Sequence, residues 1–409
     1  MWTEQKKADV FNGLLSDRIQ NLMPLLLRES GLHFWVVLSG EFNEDPVFQS
    51  LVPFRMKMAP RLLGFVFALD PAGKYHAWYL GKRQNSMLDK IYCYGGGAED
   101  TVYESIAQLA IQMGVISVAA DSCGVVNQAD GLSHSCYLKL RQALPARIAL
   151  TSAQPLVSRW LEIRTDRELD LCQTLYRQSM GVISEVYSAD VLRPGHTTTW
   201  DLEWEICQRI RALGLDYWFA PDVDLQRKGR DEFRLSGEVI LPGDLVHCAM
   251  GLTGMGICTD TQRNLYVGLP GEKEIPEEIL AASRLGNKWQ DILLHEFAPG
   301  LTGNQVFANA MSKRGEIEAM SYCHSVGFYG HGAGPVVGMF DNQGPVPGKG
   351  EQVFYNNTCH ALECNIRTHV PEWDGQEVCI MQEETIWLRD GKGAFMEGNR
   401  DKLYFLPQS

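Results

Sequence analysis

The stretch Gly243-Asp-Leu-Val-His247-Cys-Ala249-Met-Gly251, followed by Gly256-Ile-Cys-Thr-Asp260-Thr-Gln-Arg263, decides how this chain is read. The two segments fall on predicted strands, near 238–249 and 257–267. Side chains on a strand alternate between faces. His247, Ala249 and Gly251 therefore share one side, and so do Cys258, Asp260 and Gln262. Three later landmarks extend the pattern: Gly330-His331-Gly-Ala-Gly334, Ala361-Leu-Glu363 and Gln382-Glu383-Glu384-Thr385. Carboxylates and an imidazole spread in this way read as part of a metal site from which one ligand has been removed.

Together these motifs resemble the pita-bread metallopeptidases, the group of methionine aminopeptidase, prolidase and aminopeptidase P, which also includes the metal-free amidinohydrolase creatinase. The family's ligand order is Asp, Asp, His, Glu, Glu. Its first two Asp lie eleven residues apart on neighbouring antiparallel strands, and Ala249 and Asp260 have that spacing. The resemblance implies that Asp260 and Glu383 bridge two metals, that His331 and Glu363 serve one of them, and that the ligand absent at Ala249 served the other. Asp260, His331, Glu363 and Glu383 would then converge on one divalent ion. Three carboxylates and an imidazole suit Zn, Mn, Fe or Co without choosing among them. Such an ion would acidify a water and polarise a scissile carbonyl. Glu363 and His331 are the expected catalytic groups, Glu363 as proton shuttle. His247 and Arg263 are expected on the substrate side. His247 is placed to reach a metal or substrate, or else to be a packed, hydrogen-bonded histidine, and Arg263 would orient carboxylates.

The chain also departs from the family pattern. Gly338 stands where a second histidine follows the Gly-His-Gly-x-Gly motif. Asp231-Glu232-Phe233 stands where an upstream histidine is usual, Cys364 where a proline follows the first Glu, and Met381 where an Arg precedes the last. Each retained piece also has a bland reading. The glycines can serve tight packing alone, Glu363 can pair with Arg367 or Arg389, and Glu383-Glu384 can be a solvated strand end. His360 and His369 fall on no family ligand position and read as structural.

Bulk properties narrow the field. The chain has 409 residues, 45% hydrophobic and 21% charged, enough for two or three domains with proper cores. A formal charge of −13 argues against nucleic acid or an anionic membrane as partner. No apolar run is long enough to span a bilayer. The start, Met-Trp-Thr-Glu-Gln-Lys-Lys-Ala-Asp, carries no signal-type apolar segment, so a cytoplasmic location is expected. The eleven cysteines form no Cys-x-x-Cys pair and are odd in number, which reads as buried free thiols.

The expected fold class is α/β (α+β). Residues 1–160 would form a creatinase/prolidase-like α/β domain, and 161–409 a pita-bread catalytic domain. Helical spacing covers 4–29, 102–113, 131–143, 165–187, 199–213, 276–297 and 302–313, the last opening on a Thr302-Gly-Asn-Gln305 capping box. Strand-like runs cover His33–Leu38, Leu63–Leu69, Tyr75–Leu80 and Val115–Ala120. Thr151-Ser-Ala-Gln-Pro155 reads as the linker, and a Gly/Pro-rich loop at 341–350 precedes closing strands. The leading functional expectation is a metal-dependent hydrolase of the Xaa-Pro dipeptidase/aminopeptidase type with a degenerate, mononuclear site, acting on a small peptide or small molecule. The alternatives are a creatinase-like metal-free or atypical C–N hydrolase, and a catalytically silent binding protein. Resemblance implies a homodimer.

Overall fold

A computed structural model describes residues 1–83, 87–98, 101–122, 124–397 and 403–408. The chain forms two compact units: Glu4–Thr165, and Asp166–Ser409 with Met1–Thr3.

The first unit begins with α1 (Glu4–Asp17), a π-helical turn (Arg18–Leu22) and α2 (Met23–Ser30), in place of one uninterrupted helix. Pro24, with no N–H to donate, sits just past the π turn. Gly31, at φ +68°, supplies the left-handed residue that ends α2. There follow β1 (Phe34–Gly40), β2 (Leu62–Leu69), β3 (Tyr75–Gly81), α3 (Leu88–Ile91), β4 (Cys93–Tyr94), α4 (Val102–Gln112), β5 (Ser117–Ala120), α5 (His134–Ala143), β6 (Ala149–Ser152) and α6 (Gln154–Glu162). The sheet order is β4-β3-β2-β1-β5-β6, antiparallel among β1, β2 and β3 and parallel at both flanks. One face packs Val36, Val66 and Leu80 against Val102, Ile106 and Leu140 of α4 and α5. The segment expected as a linker is ordered structure within this unit: Thr151 and Ser152 pair with β5, and Pro155 lies in the first turn of α6. Asp45 and Asp121 are both buried here. Their Oδ1 atoms accept from Val47 N (3.0 Å) and Trp35 Nε1 (2.6 Å), while each Oδ2 is buried without a donor. Burial pushes the Asp45 carboxyl up to about 6, and burial with the Asp45 charge pushes Asp121 well up. Each carboxyl therefore holds its proton more tightly than a free aspartic acid does.

The second unit opens with α7 (Asp166–Val186) and α8 (Thr199–Ala212), which a Thr198/Asp201 capping box starts. Then come β7 (Asp216–Tyr217), β8 (Asp222–Gln226), β9 (Leu245–Met250), β10 (Leu252–Gly254), β11 (Ile257–Cys258), β12 (Thr261–Pro270), α9 (Glu277–Glu296) and α10 (Gly303–Ser312). The last elements are β13 (Ala319–Ser325), β14 (Val336–Val337), β15 (Thr358–Val370), β16 (Gln376–Arg389), β17 (Lys392–Phe395) and β18 (Tyr404–Gln408). The capping box expected at Thr302 and Gln305 is present in both directions. The strand expected from 238 begins only at Leu245, because the chain turns at Gly243 (φ +91°).

Among the described residues the large sheet runs β14-β13-β15-β16-β12-β9-β8, with β17 on β16 and β18 on β12. Helices α9 and α10 cover one face through Trp289, Leu293, Val306 and Phe307, which pack on Leu362, Cys364 and Ile366. The opposite face is left to the polar side chains described next. Every described cysteine is free, and no helix among the described residues is long and apolar enough to cross a membrane.

Candidate metal centre

Adjacent strands of the large sheet set one residue each into a single row. Tyr322 on β13 pairs with Glu363 on β15, Glu363 with Glu383 on β16, Glu383 with Gln262 on β12, and Gln262 with Ala249 on β9. Register partners share a face, and so do residues two apart on one strand. His324 therefore joins the row from β13, and Asp260 joins it from the residue just before β12. The result is a cavity of about 230 Å³ lined by Trp218, Phe219, Ala249, Asp260, Gln262, His324, His331, Glu363 and Glu383.

The closest group of donors is Asp260, His324 and Glu383, whose ligand atoms all lie within 4.8 Å of one another. All three residues are buried. His324 Nε2 stands 3.4 Å from Asp260 Oδ2 and 3.8 Å from Glu383 Oε1. Its other ring nitrogen, Nδ1, donates to the Ser325 carbonyl at 3.1 Å, which aims Nε2 at the carboxylates. Glu383 Oε1 is buried without a donor. Burial, with Asp260 and Glu363 alongside, pushes the Glu383 carboxyl well above the ordinary range, and burial also raises Glu363. Burial opposes a charge on His324, but the hydrogen bond and charge of Asp260 carry its pKa up. Crowded carboxylates, an imidazole already oriented and a donorless buried oxygen fit a divalent cation.

The backbone around Asp260 is fixed from behind. Asp260 N donates to Thr385 Oγ1 (2.9 Å), and that hydroxyl donates to Asp260 O (2.6 Å). Thr259 Oγ1 bonds Ser179 Oγ at 2.9 Å and receives Leu252 N at 3.2 Å. These bonds hold the short gap between β11 and β12 in which Asp260 sits.

Of the residues expected from the sequence, Asp260, Glu363, Glu383 and His331 all line the cavity. His331 does so from an exposed position, with its ring edge-on to His324 at 4.6 Å and to Trp218 at 5.1 Å. Partial desolvation of the ring, which packs against His324 and Trp218, and the neighbouring His324 lower its pKa. His324, not His331, joins Asp260 and Glu383 in the compact donor set. The sequence reading missed it. The alternation Ser321-Tyr-Cys-His-Ser325 on a short strand was the available signal. Gln262 was placed on the right face but given no role.

His247 and Arg263, expected on the substrate side, do not line the cavity. His247 is buried behind it, with Nε2 at 2.9 Å from Gln262 Oε1 and Nδ1 at 3.3 Å from Asp224 Oδ2. Arg263 alternates to the other face of β12. There it donates to the carbonyls of Gln262 (2.8 Å) and Glu383 (2.9 Å), to Tyr176 OH (3.0 Å) and to Glu384 (2.8 Å). It thus ties β12 to β16 directly under the site. Arg367 and Arg389 pair with Glu377 and Asp166, leaving Glu363 to the cavity. Glu383 and Glu384 are buried, and His360 is a core histidine against Phe297 and Phe354.

Trp218 forms one wall, its indole N–H on the Thr259 carbonyl at 2.9 Å. A Cβ at Gly330 or at Gly251 would fall inside that indole. Part of the Gly-His-Gly-x-Gly motif is therefore explained by packing. Phe219 stands edge-on to Trp218 at 4.4 Å.

An α/β domain followed by a pita-bread domain, with acidic and imidazole side chains meeting on one sheet face, defines the class of fold. The whole chain is similar to an X-Pro aminopeptidase from Thermotoga maritima (TM-score 0.65, 15% identity, covering 93% of this chain and 100% of that one). It is similar also to dipeptidase PepE from Mycobacterium ulcerans (TM-score 0.66, 17% identity, 97% and 99%). A third is an Xaa-Pro dipeptidase from Bacillus anthracis (TM-score 0.63, 17% identity, 99% and 100%). No protein-family model matches the sequence, and a comparison with curated proteins finds no match.

Proposed function

We propose that this chain is a metal-dependent hydrolase of the Xaa-Pro dipeptidase/aminopeptidase type, with a degenerate site that takes one divalent ion and a small peptide as substrate. The observation that carries the reading is the convergence of Asp260, His324 and Glu383 beside Glu363 in one cavity. The names of its structural neighbours support the substrate class. Asp260, His324 and Glu383 would hold the ion, which when bound would supply Lewis acidity and lower the pKa of a water towards about 7.

The remaining groups act by position. Glu363, whose burial raises its pKa and so makes its carboxylate a stronger base, can accept a proton from the attacking water and return it to the leaving amine. His331 faces the cavity with a lowered pKa, so its neutral ring can receive or donate a hydrogen bond to substrate. Trp218 and Phe219 give the site an apolar wall that excludes water from that side.

Metal analysis of protein purified without chelator, paired with hydrolysis of Xaa-Pro dipeptides with and without added Mn²⁺ or Co²⁺, tests this. One ion per chain and cation-dependent turnover are expected. A specific observation favours a second reading, a catalytically silent binding protein: Ala249 offers no donor, and Glu363 is already hydrogen-bonded to Gln262. Bound cation with no turnover on any Xaa-Pro dipeptide would select it.

A further inference from the structure

A chain of polar side chains runs from the surface to the cavity through the sheet face behind Ala249. Arg234 Nε donates to Asp224 Oδ2 at 2.6 Å. The same Asp224 oxygen lies 3.3 Å from His247 Nδ1, and His247 Nε2 lies 2.9 Å from Gln262 Oε1. Gln262 Nε2 then donates to Glu363 Oε1 at 2.9 Å. Asp224, His247 and Gln262 are all buried.

The order of these contacts fixes the amide. A carboxylate accepts hydrogen bonds only, so the NH₂ end of Gln262 faces Glu363 and its oxygen faces His247. Reversing the amide would set two oxygens against each other at Glu363. Both ring nitrogens of His247 are engaged by oxygens, so neither nitrogen is presented to the cavity. The strand register explains why this arrangement has room: Gln262 pairs with Ala249, whose methyl leaves the neighbouring space to the amide.

We propose that Gln262, held by His247 and Asp224, is a positioning residue that gives Glu363 an N–H partner in place of a cation and so restricts the site to a single ion on Asp260, His324 and Glu383. This rests on the metal-dependent reading above and extends it to what occupies the Ala249 side of the cavity. The N–H of Gln262 occupies a Glu363 oxygen otherwise open to a cation, and the positive end of the amide dipole disfavours an ion beside it. Glu363 Oε1, already bonded to the amide, stays free of the ion and available to water.

The test uses the full chain and Mn²⁺ alone, with bound metal counted by elemental analysis and followed by electron paramagnetic resonance. Wild type is expected to bind one equivalent with an uncoupled six-line spectrum. Ala249→Asp should still bind one equivalent, because the Gln262 amide remains. The double variant Ala249→Asp/Gln262→Ala should bind two equivalents with a spin-coupled spectrum. Circular dichroism checks folding, and the isosteric Gln262→Glu in the Ala249→Asp background, also expected to take two, substitutes if the alanine variant fails to fold. Two ions in wild type, or two in Ala249→Asp alone, would overturn the role given to Gln262 while leaving a metal-dependent hydrolase standing. One ion in both double variants would overturn it as well. No ion in wild type at millimolar Mn²⁺ would instead sink the metal-dependent reading and this inference with it.

Discussion

Glu383 shows at the level of one residue how the site sets stability against binding. Its carboxylate is buried beside Asp260 and Glu363, and one oxygen has no donor. Burying like charges together destabilises a protein unless a cation compensates. Glu383→Gln keeps the shape and removes the charge. It is expected to raise the thermal midpoint of the cation-free protein by about 2–4 °C and to weaken Mn²⁺ binding by more than about tenfold. Calorimetry with and without Mn²⁺ measures both. A lower midpoint without cation would mean that Glu383 is held by contacts other than those described. Single residues were also where the sequence was easiest to read. Asp260, Glu363 and Glu383 could be found because carboxylates inside apolar strands need a reason to be there. Gln262 could not, since a neutral amide gains its meaning only from what stands on either side of it in three dimensions.

Among the strands, the gap between β11 and β12 matters most, because Asp260 sits in it with no ladder of its own. Thr385 on β16 supplies both missing backbone bonds. Thr385→Val keeps the volume and removes both. The expected cost is about 1–3 kcal/mol of stability, with weaker cation binding as Asp260 drifts. Urea unfolding and Mn²⁺ titration check the two effects, and an unchanged cation affinity would show that Asp260 is placed by other means. Element reading from the sequence succeeded where periodicity was long. Helices α7, α8, α9 and α10 were all legible, and so were the flanks of the metal motifs. It failed at β13, whose alternation is carried by small and polar side chains (Ala319, Ser321 and Cys323 against Met320, Tyr322 and His324) and so is faint to a reading based on apolar periodicity. His324 was lost with it. The supposed linker at 151–155 failed for a related reason: polar Thr151 and Ser152 were read as loop, yet they belong to the edge strand β6, which tolerates them, and Gln154 opens α6.

On the scale of the whole molecule, the two units carry different chemical burdens. The site lies in the second, while the first holds the Asp45–Asp121 pair. The folded pKa of Asp45 is raised to about 6 from an ordinary 3.8, chiefly by burial. The folded state therefore binds that proton more tightly than the unfolded chain does. Its stabilising contribution is complete below about pH 4 and is lost as pH rises through about 6. Between pH 4.5 and 7.5, wild type should lose on the order of 2 kcal/mol relative to Asp45→Asn. Denaturant unfolding at the two pH values measures the difference, and parallel curves for the two proteins would refute the raised pKa of Asp45. The sequence expectation set a domain boundary at 160, resting on resemblance and motif position more than on length, which allowed two or three domains. The pocket's aromatic wall was not legible, because Trp218 and Phe219 precede every motif and reach it only through the fold.

That wall constrains how the protein can diverge. Trp218 is seated against Gly330, and a side chain at Gly330 has no space until the indole is gone. Gly251 is held further by the Thr259 carbonyl, 2.7 Å from where its Cβ would be. A lineage that places a side chain at position 330 must therefore first change or displace Trp218, so these two mutations are permitted in one order only.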